Sequence, residues 1–458
     1  MGIKSSSASL GRPTKGGAAA YAVAALILGQ CVALGANNAL LGSLAACADL
    51  ILALVLLQSS RPGREFWWAL RPVLVPMIAA AAWTSLPEIM LAADIAPATV
   101  ALQARPVTGL YPTELAKFIG VIACLLIGAL TASRPGLTRR TVEILVAGGA
   151  MWLLASFVMY ELDPLHVWGL SKGLRADRFS ATLLNPNAAG CIMAVLAALA
   201  TASLLVRLRG TEANGWSPAA MMRIVGQAIL ICLVLGAIIL TRSRFDIAVA
   251  LAAIGLLMGT GLLRGGRPTL LFGVLFILTV LFGGGLLVAI GSPIALKLLQ
   301  LGPDAVVRAE AIRFYFTLSL QSPWFGFGLG SFRELNTAHL SPDNVADLWN
   351  FGAAHCAPIQ AALEGGWPFA ILLMIAVIGG AMRVAGSLRS AAFDPFDQAI
   401  MLGVAIILAC SSVDIALNVP AVAALAAVLA GMALGTISRF RSGAVPPPPP
   451  DRAHEGRR

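Results

Sequence analysis

The sequence predicts an all-α membrane protein of about twelve transmembrane helices, with a large outer loop holding amphipathic helices between the ninth and tenth spans. Three observations predict this class. Hydrophobic residues make up 58% of the 458 positions and charged residues 12%, more apolar surface than a soluble domain can hide. The apolar residues run on for about 17 to 22 positions at a time, which suits a bilayer-crossing helix and not the roughly ten-residue alternating strands of an outer-membrane barrel. The positive charges fall between the runs on alternate sides.

In chain order, residues 1–17 form a basic tail with Lys4, Arg12 and Lys15. The first run, 18–36, resembles a signal peptide, but a second run follows Asn37–Asn38 at once, so an uncleaved first helix is expected. Spans one to nine fill residues 18–290, at about 18–36, 39–57, 72–91, 115–132, 143–160, 187–206, 224–240, 246–263 and 269–290. The outer loop covers 291–365. Spans ten to twelve fill 366–437, at about 366–384, 398–416 and 420–437. The tail 438–458 holds a proline run that favours extended, disordered chain.

Charge sets the orientation. With the N-terminus inside, 21 of the 32 Lys and Arg residues lie on inner segments, and each inner segment holds at least two. Both termini are therefore expected in the cytoplasm. Arg242 and Arg244 are the sharpest exceptions, because their outer loop is only about five residues long and short loops obey the charge bias best.

Six of the seven cysteines (Cys31, Cys47, Cys124, Cys191, Cys232 and Cys410) lie in apolar runs, so no disulfide framework is expected. The four histidines are scattered and no cluster has metal-ligand spacing. No phosphate-loop motif is present.

Several residues with anion chemistry gather on the outer face. Asn185 and Pro186 read as the cap and first turn of a helix whose free N–H groups and positive dipole end favour an anion. Asn187 and Arg178 stand close by in sequence; an ordinary capped helix is the competing reading. Arg242 has Asp246 four residues on as an alternative partner, which leaves Arg244 unexplained. The stretch from Arg308 to Phe332 starts as a surface helix with Val307, Ala311, Phe314 and Leu318 on one face. It ends in the glycine-rich P-W-F-G-F-G-L-G, whose glycines alone are weak evidence for phosphate. Arg308 and Arg313 point about 140° apart and do not serve one ligand. His355 precedes the tenth span, where a packing role competes with proton transfer. Asp414, at the outer end of the eleventh span, reads as the partner of an arginine. Asp49 in the second span has no partner that the sequence reveals.

The order of these motifs resembles the O-antigen ligase and O-antigen polymerase family of bacterial membrane proteins. The residues that carry it are R-F-S-A-T-L-L-N-P-N from Arg178, L-T-R-S-R at 240–244, Arg308 with the later P-W-F-G-F-G-L-G-S-F, His355 with E-G-G at 364–366, and S-V-D-I-A-L-N-V-P-A at 412–421. The likeness covers about 178–421. It implies a GT-C-like fold and a metal-independent, inverting glycosyltransferase without cofactor in the bacterial inner membrane, with its active site facing the periplasm. The donor it implies is a glycan on undecaprenyl diphosphate; the acceptor is lipid A–core in a ligase, or another lipid-linked glycan in a polymerase. Membrane lipids surround the chain and no nucleic acid is implied. Carried over by motif, Arg178, Arg244, Arg308 and Arg242 bind the diphosphate and His355 is the general base, supported by Asn185, Asn187, Glu364 and Asp414. The family's His-Asn and following Tyr are replaced here by Cys356 and Pro358. The ligase is preferred over a chain polymerase because of the twelve spans and the late loop. A flippase of lipid-linked glycans is the alternative from another class, but midplane charges and repeated halves are lacking.

Overall fold

The computed structural model describes residues 15–93, 110–134, 136–173, 178–263, 303–388 and 393–441. The expected ninth span at 269–290, the first part of the outer loop, the start of the N-terminal tail and most of the C-terminal tail lie outside the described residues. Among the described residues, ten helices are long and apolar enough to cross a membrane.

Seven long helices come first: α1 (Lys15–Val32), α2 (Ala39–Ser60), α3 (Arg64–Ala92), α4 (Leu110–Ala132), α5 (Leu137–Leu162), α6 (Pro186–Asn214) and α7 (Pro218–Thr241). Then come α8 (Arg244–Leu263), the shorter α9 (Pro303–Ser319), α10 (Phe332–Ala338) and α11 (Val345–Leu348), and finally α12 (Ala357–Leu388), α13 (Pro395–Val413) and α14 (Pro420–Arg441). The expected spans other than the ninth fall on these helices with shifted ends. The first is shorter, because Gly35 takes φ 70° in a 3-10 turn after Val32. The third starts earlier, with Pro72, Pro76 and Pro87 inside α3. A two-stranded hairpin, His166–Val167 against Leu170–Ser171, interrupts the all-helical pattern.

Two helices form the centre. The apolar windows of α6 and α14 are 94% and 89% buried, against 22–56% for the other eight. Small residues let the backbones of α4 and α14 touch: a Cβ on Gly128 would sit 2.0 Å from the Val428 carbonyl oxygen, and one on Gly431 2.1 Å from that of Leu125. Such close approach favours helix association where the solvent is as apolar as the side chains. On the other side, α6 packs against α7, α8 and α13, while α3 packs along α12. Exposed large apolar side chains on the outer helices, such as Leu40, Ile51 and Met382, suit a lipid surround.

The ends of the bundle differ. At one, the starts of α2, α6 and α14 meet the ends of α1, α7 and α13; Thr182 donates to the Cys31 carbonyl and Phe179 N–H to that of Leu240. At the far end, Arg134 donates to Ser59 and Ser60, tying α4 to α2. Asp49, unpartnered in the sequence reading, accepts from Gln30 of α1 at 3.0 Å.

Candidate functional site

The site is built where helices end. Asn185 adopts extended backbone before α6, and its side chain accepts from the N–H groups of Asn187 and Ala188 at 2.9 and 3.0 Å. This is the expected cap, with Pro186 in the first turn. The cap frees Asn187 to point away from its own helix. Its Oδ1 accepts from Arg178 Nη2 at 2.6 Å, and its Nδ2 donates to Asp414 Oδ2 at 2.5 Å. Arg178 also donates from Nε to the Thr241 carbonyl at 2.7 Å. That carbonyl ends α7, so the guanidinium stands between the negative end of one helix dipole and the positive start of another.

Asp414 is the hub. It follows α13 in extended conformation, φ −154°, so its backbone turns out of the helix. Arg308 Nη1 lies 3.0 Å from Oδ2, and His355 Nδ1 lies 3.3 Å from Oδ1. The Ile415 N–H donates to Oδ1 at 2.7 Å. Burial alone would push this carboxyl up. His355 and Arg308 outweigh that and hold it at about 2, below its ordinary 3.8. The side chains of His355 and Asp414 are each 8% exposed and that of Arg308 37%.

His355 is fixed by its surroundings. Its backbone is left-handed, φ 54°, a conformation that costs a non-glycine residue about 1–2 kcal/mol. Phe351 meets the imidazole edge-on at 4.7 Å. Phe351 is held in turn by Asn336, whose Nδ2 donates to the Leu348 and Phe351 carbonyls while its Oδ1 accepts from the buried Tyr315 hydroxyl. Nδ1 makes no well-aligned hydrogen bond despite its closeness to Asp414. The expected surface helix α9 therefore does two jobs: Ala311, Tyr315 and Leu318 pack inward, while Arg308 reaches Asp414.

The glycine-rich loop and the E-G-G segment serve each other. α12 breaks at Gly366, φ 78° and ψ 167°. The loop crosses the break so closely that a Cβ on Gly366 would stand 2.0 Å from the Trp324 carbonyl oxygen, and one on Gly326 2.3 Å from that of Glu364. Phe327 and Gly328 donate their N–H groups to the carbonyls of Leu363 and Glu364. The glycines here permit backbone contact, which their spacing did not reveal. The Glu364 side chain accepts from Gln360 at 2.7 Å, and Gln360 accepts from the Ala354 N–H next to His355. Gln360 thus joins the E-G-G segment to the histidine loop, a role that sequence reasoning missed because only the fold closes that contact.

Arg242 and Arg244 separate in role. Arg242 ends α7 as a left-handed cap, φ 55°, where a cation suits the helix dipole. Arg244 opens α8, where the dipole disfavours a cation. Asp246 is 2% exposed and turns inward, its Oδ1 accepting from Cys410 Sγ at 3.1 Å. Arg313 is exposed, apart from Arg308's partner.

A cavity of about 1180 Å³ opens beside this cluster. His355, Gln360 and Glu364 form one polar wall near its mouth; Gln30, Asp49, Glu114 and Lys117 form another; below them it is apolar, lined by α3, α4, α12, α13 and α14. Of the cluster around Asp414, His355 lines the cavity, while Arg178, Arg308 and Asp414 are not part of its lining. Among the described residues no three His, Cys, Asp or Glu side chains are grouped to hold a metal. No protein-family model matches the chain, and no curated protein is similar to it.

Proposed function

We propose that this chain is a membrane glycosyltransferase that moves a glycan from undecaprenyl diphosphate to an acceptor hydroxyl, as an O-antigen ligase does to lipid A–core. The inner membrane, a GT-C-like arrangement and a periplasm-facing site belong to this reading. One observation carries it: a histidine on the wall of a large cavity stands against a buried carboxylate that holds Arg308 directly and Arg178 through Asn187.

The chemistry follows from the charges. Arg308 pairs with Asp414 and Arg178 reaches the same carboxylate through Asn187, so two guanidiniums from distant parts of the chain are gathered where, in this reading, the donor's diphosphate binds. In this reading Arg244, which opens α8 three residues after the Thr241 whose carbonyl Arg178 holds, adds a third guanidinium. The acceptor oxygen attacks the anomeric carbon from the face opposite the diphosphate, the bond to the diphosphate oxygen breaks, and the configuration inverts. The departing oxygen gains charge, which the guanidiniums stabilise. The hydroxyl proton goes to His355 Nε2, the ring nitrogen away from Asp414, and Asp414 stabilises the imidazolium that results.

The test is purified protein in vesicles with a glycan on undecaprenyl diphosphate and an acceptor, assayed for transfer and donor binding. Alanine at Arg178, Arg244 or Arg308 is expected to weaken donor binding, and alanine at His355 to stop transfer while the donor still binds. Equal donor binding after loss of all three arginines overturns the reading. In cells, long unattached chains on the carrier lipid mark a ligase defect; single repeats on lipid A–core mark a polymerase defect. Donor trapped on the cytoplasmic side marks a flippase.

A further inference from the structure

The far end of the bundle carries a second cluster that the transfer reaction does not use. Trp68 of α3 is stacked by two guanidiniums: Arg383 Cζ is 3.5 Å and Arg441 Cζ 3.7 Å from the ring centroid. Arg71, one turn along α3 from Trp68, adds a third positive charge felt by Arg383. Glu65 stands 3.7 Å from Arg441 Nε, with both side chains about half exposed. Stacking on an indole positions a guanidinium but does not neutralise it. One half-exposed carboxylate does not balance three cations, so the cluster keeps net positive charge.

The apolar cavity reaches down to the same place. Val73 of α3, Val384 and Ala385 of α12, and Leu434 of α14 line its lower part. Ala381 and Ala385 line the cavity and are also exposed, so the slot opens sideways between the helices. Gly379 and Gly380 bring α12 onto Pro72 and Val73 beside it. A cationic rim over an apolar, laterally open slot has the shape of a lipid: charged head, hydrocarbon chain.

We propose that the Trp68–Arg383–Arg441 cluster binds an anionic glycerophospholipid, its phosphate at the edge of the indole that the two guanidiniums flank and an acyl chain in the slot beneath. The arginine fork suits phosphate oxygens, and the two indole-stacked side chains are held in place for it. This site goes beyond the glycosyl-transfer reading and does not depend on it.

The experiment uses the purified full chain, equilibrated in vesicles of equal phosphatidylcholine and phosphatidylglycerol, extracted, and weighed with its retained lipid by native mass spectrometry. Phosphatidylglycerol is expected to exceed the vesicle ratio by roughly fivefold, the scale of one or two basic residues at an anionic surface. Arg383→Gln with Arg441→Gln is expected to return the bound lipid to the vesicle ratio. Ala385→Trp, which keeps both arginines and fills the slot, is expected to do the same and covers the case in which the double variant fails to fold. Arg139→Gln, a far-end arginine paired with Glu143, is expected to change nothing. Excess inorganic phosphate is expected to leave the lipid bound. Undiminished enrichment in the double variant or in Ala385→Trp overturns the proposal; so does release by inorganic phosphate, which would mark a site for free anions.

Discussion

Replacing Asp414 by asparagine keeps the shape of the hub and removes its charge. The carboxyl sits at about 2 in the folded chain, against an ordinary 3.8. That difference corresponds to about 2 kcal/mol of net favourable interaction after burial has been opposed. The sign is fixed by the direction. A depressed carboxyl stabilises the fold above its unfolded value, near 4, and loses that contribution as pH falls toward 2. Wild-type protein in detergent should therefore lose about 2 kcal/mol between pH 5 and pH 2 through this residue, and Asp414→Asn should lack that component. At pH 7 the variant should melt a few degrees lower, since about 1 kcal/mol moves a large domain by about 2 °C. Transfer should fall further, by about two to four orders of magnitude, because the imidazolium loses its counter-charge and Arg308 its anchor. The assay pairs thermal unfolding across pH with transfer at pH 7. An Asp414→Asn protein with wild-type melting at pH 7 and wild-type pH dependence would refute the hub.

Other perturbations probe single links. His355→Asn tolerates a left-handed backbone and can still meet Asp414, so transfer should drop by at least about a hundredfold with little change in melting temperature. Gly366→Ala adds a Cβ 2.0 Å from the Trp324 carbonyl oxygen at φ 78°, which should destabilise by about 3 kcal/mol or more in a denaturation series. Asn185→Ala removes a cap with two N–H partners and should cost about 1 kcal/mol. Asn187→Ala should cost activity more than stability, because it cuts Arg178 from Asp414 while the Asn185 cap stays; equal losses in a Tm and transfer comparison would assign Asn187 to packing alone.

Helix existence was legible because apolar run length is a property of local sequence and the bilayer imposes it. Helix ends were less so. The apolar run placed the start of the third span at 72, yet α3 begins at Arg64 and runs through Pro72 and Pro76, since within a packed membrane bundle freed carbonyls can find other donors. The tenth span looked as if it began at Gly366. In fact that glycine breaks a helix already under way from Ala357, and what it accommodates is a backbone about forty residues earlier. No window of local sequence contains both partners.

The site shows the same division more sharply. Charges in the wrong place are visible in a sequence because the bilayer makes them costly, so Arg244 and Asp414 stood out before any fold was known, while Arg178 and Arg308, in long outer segments, stood out by their motifs. Which charges meet is a different question, and it depends on contacts across 227 residues, as from Asn187 to Asp414. Asp246 illustrates the limit. Helical spacing offered it to Arg242, but in the fold it faces Cys410 of another helix, 164 residues away. Asp49 is the converse case: spacing offered nothing, and the packing of α1 against α2 brings Gln30. A buried carboxylate is bound to find a donor, because leaving it bare costs more than any local preference returns. The sequence therefore specifies that a partner exists, and only tertiary packing specifies which. By the same reasoning, Asp414 gathers Asn187 of α6, Arg308 of α9 and His355 of the loop before α12, because a carboxylate at a helix end, shut off from water, is stabilised by the donors and cations that packing brings within reach.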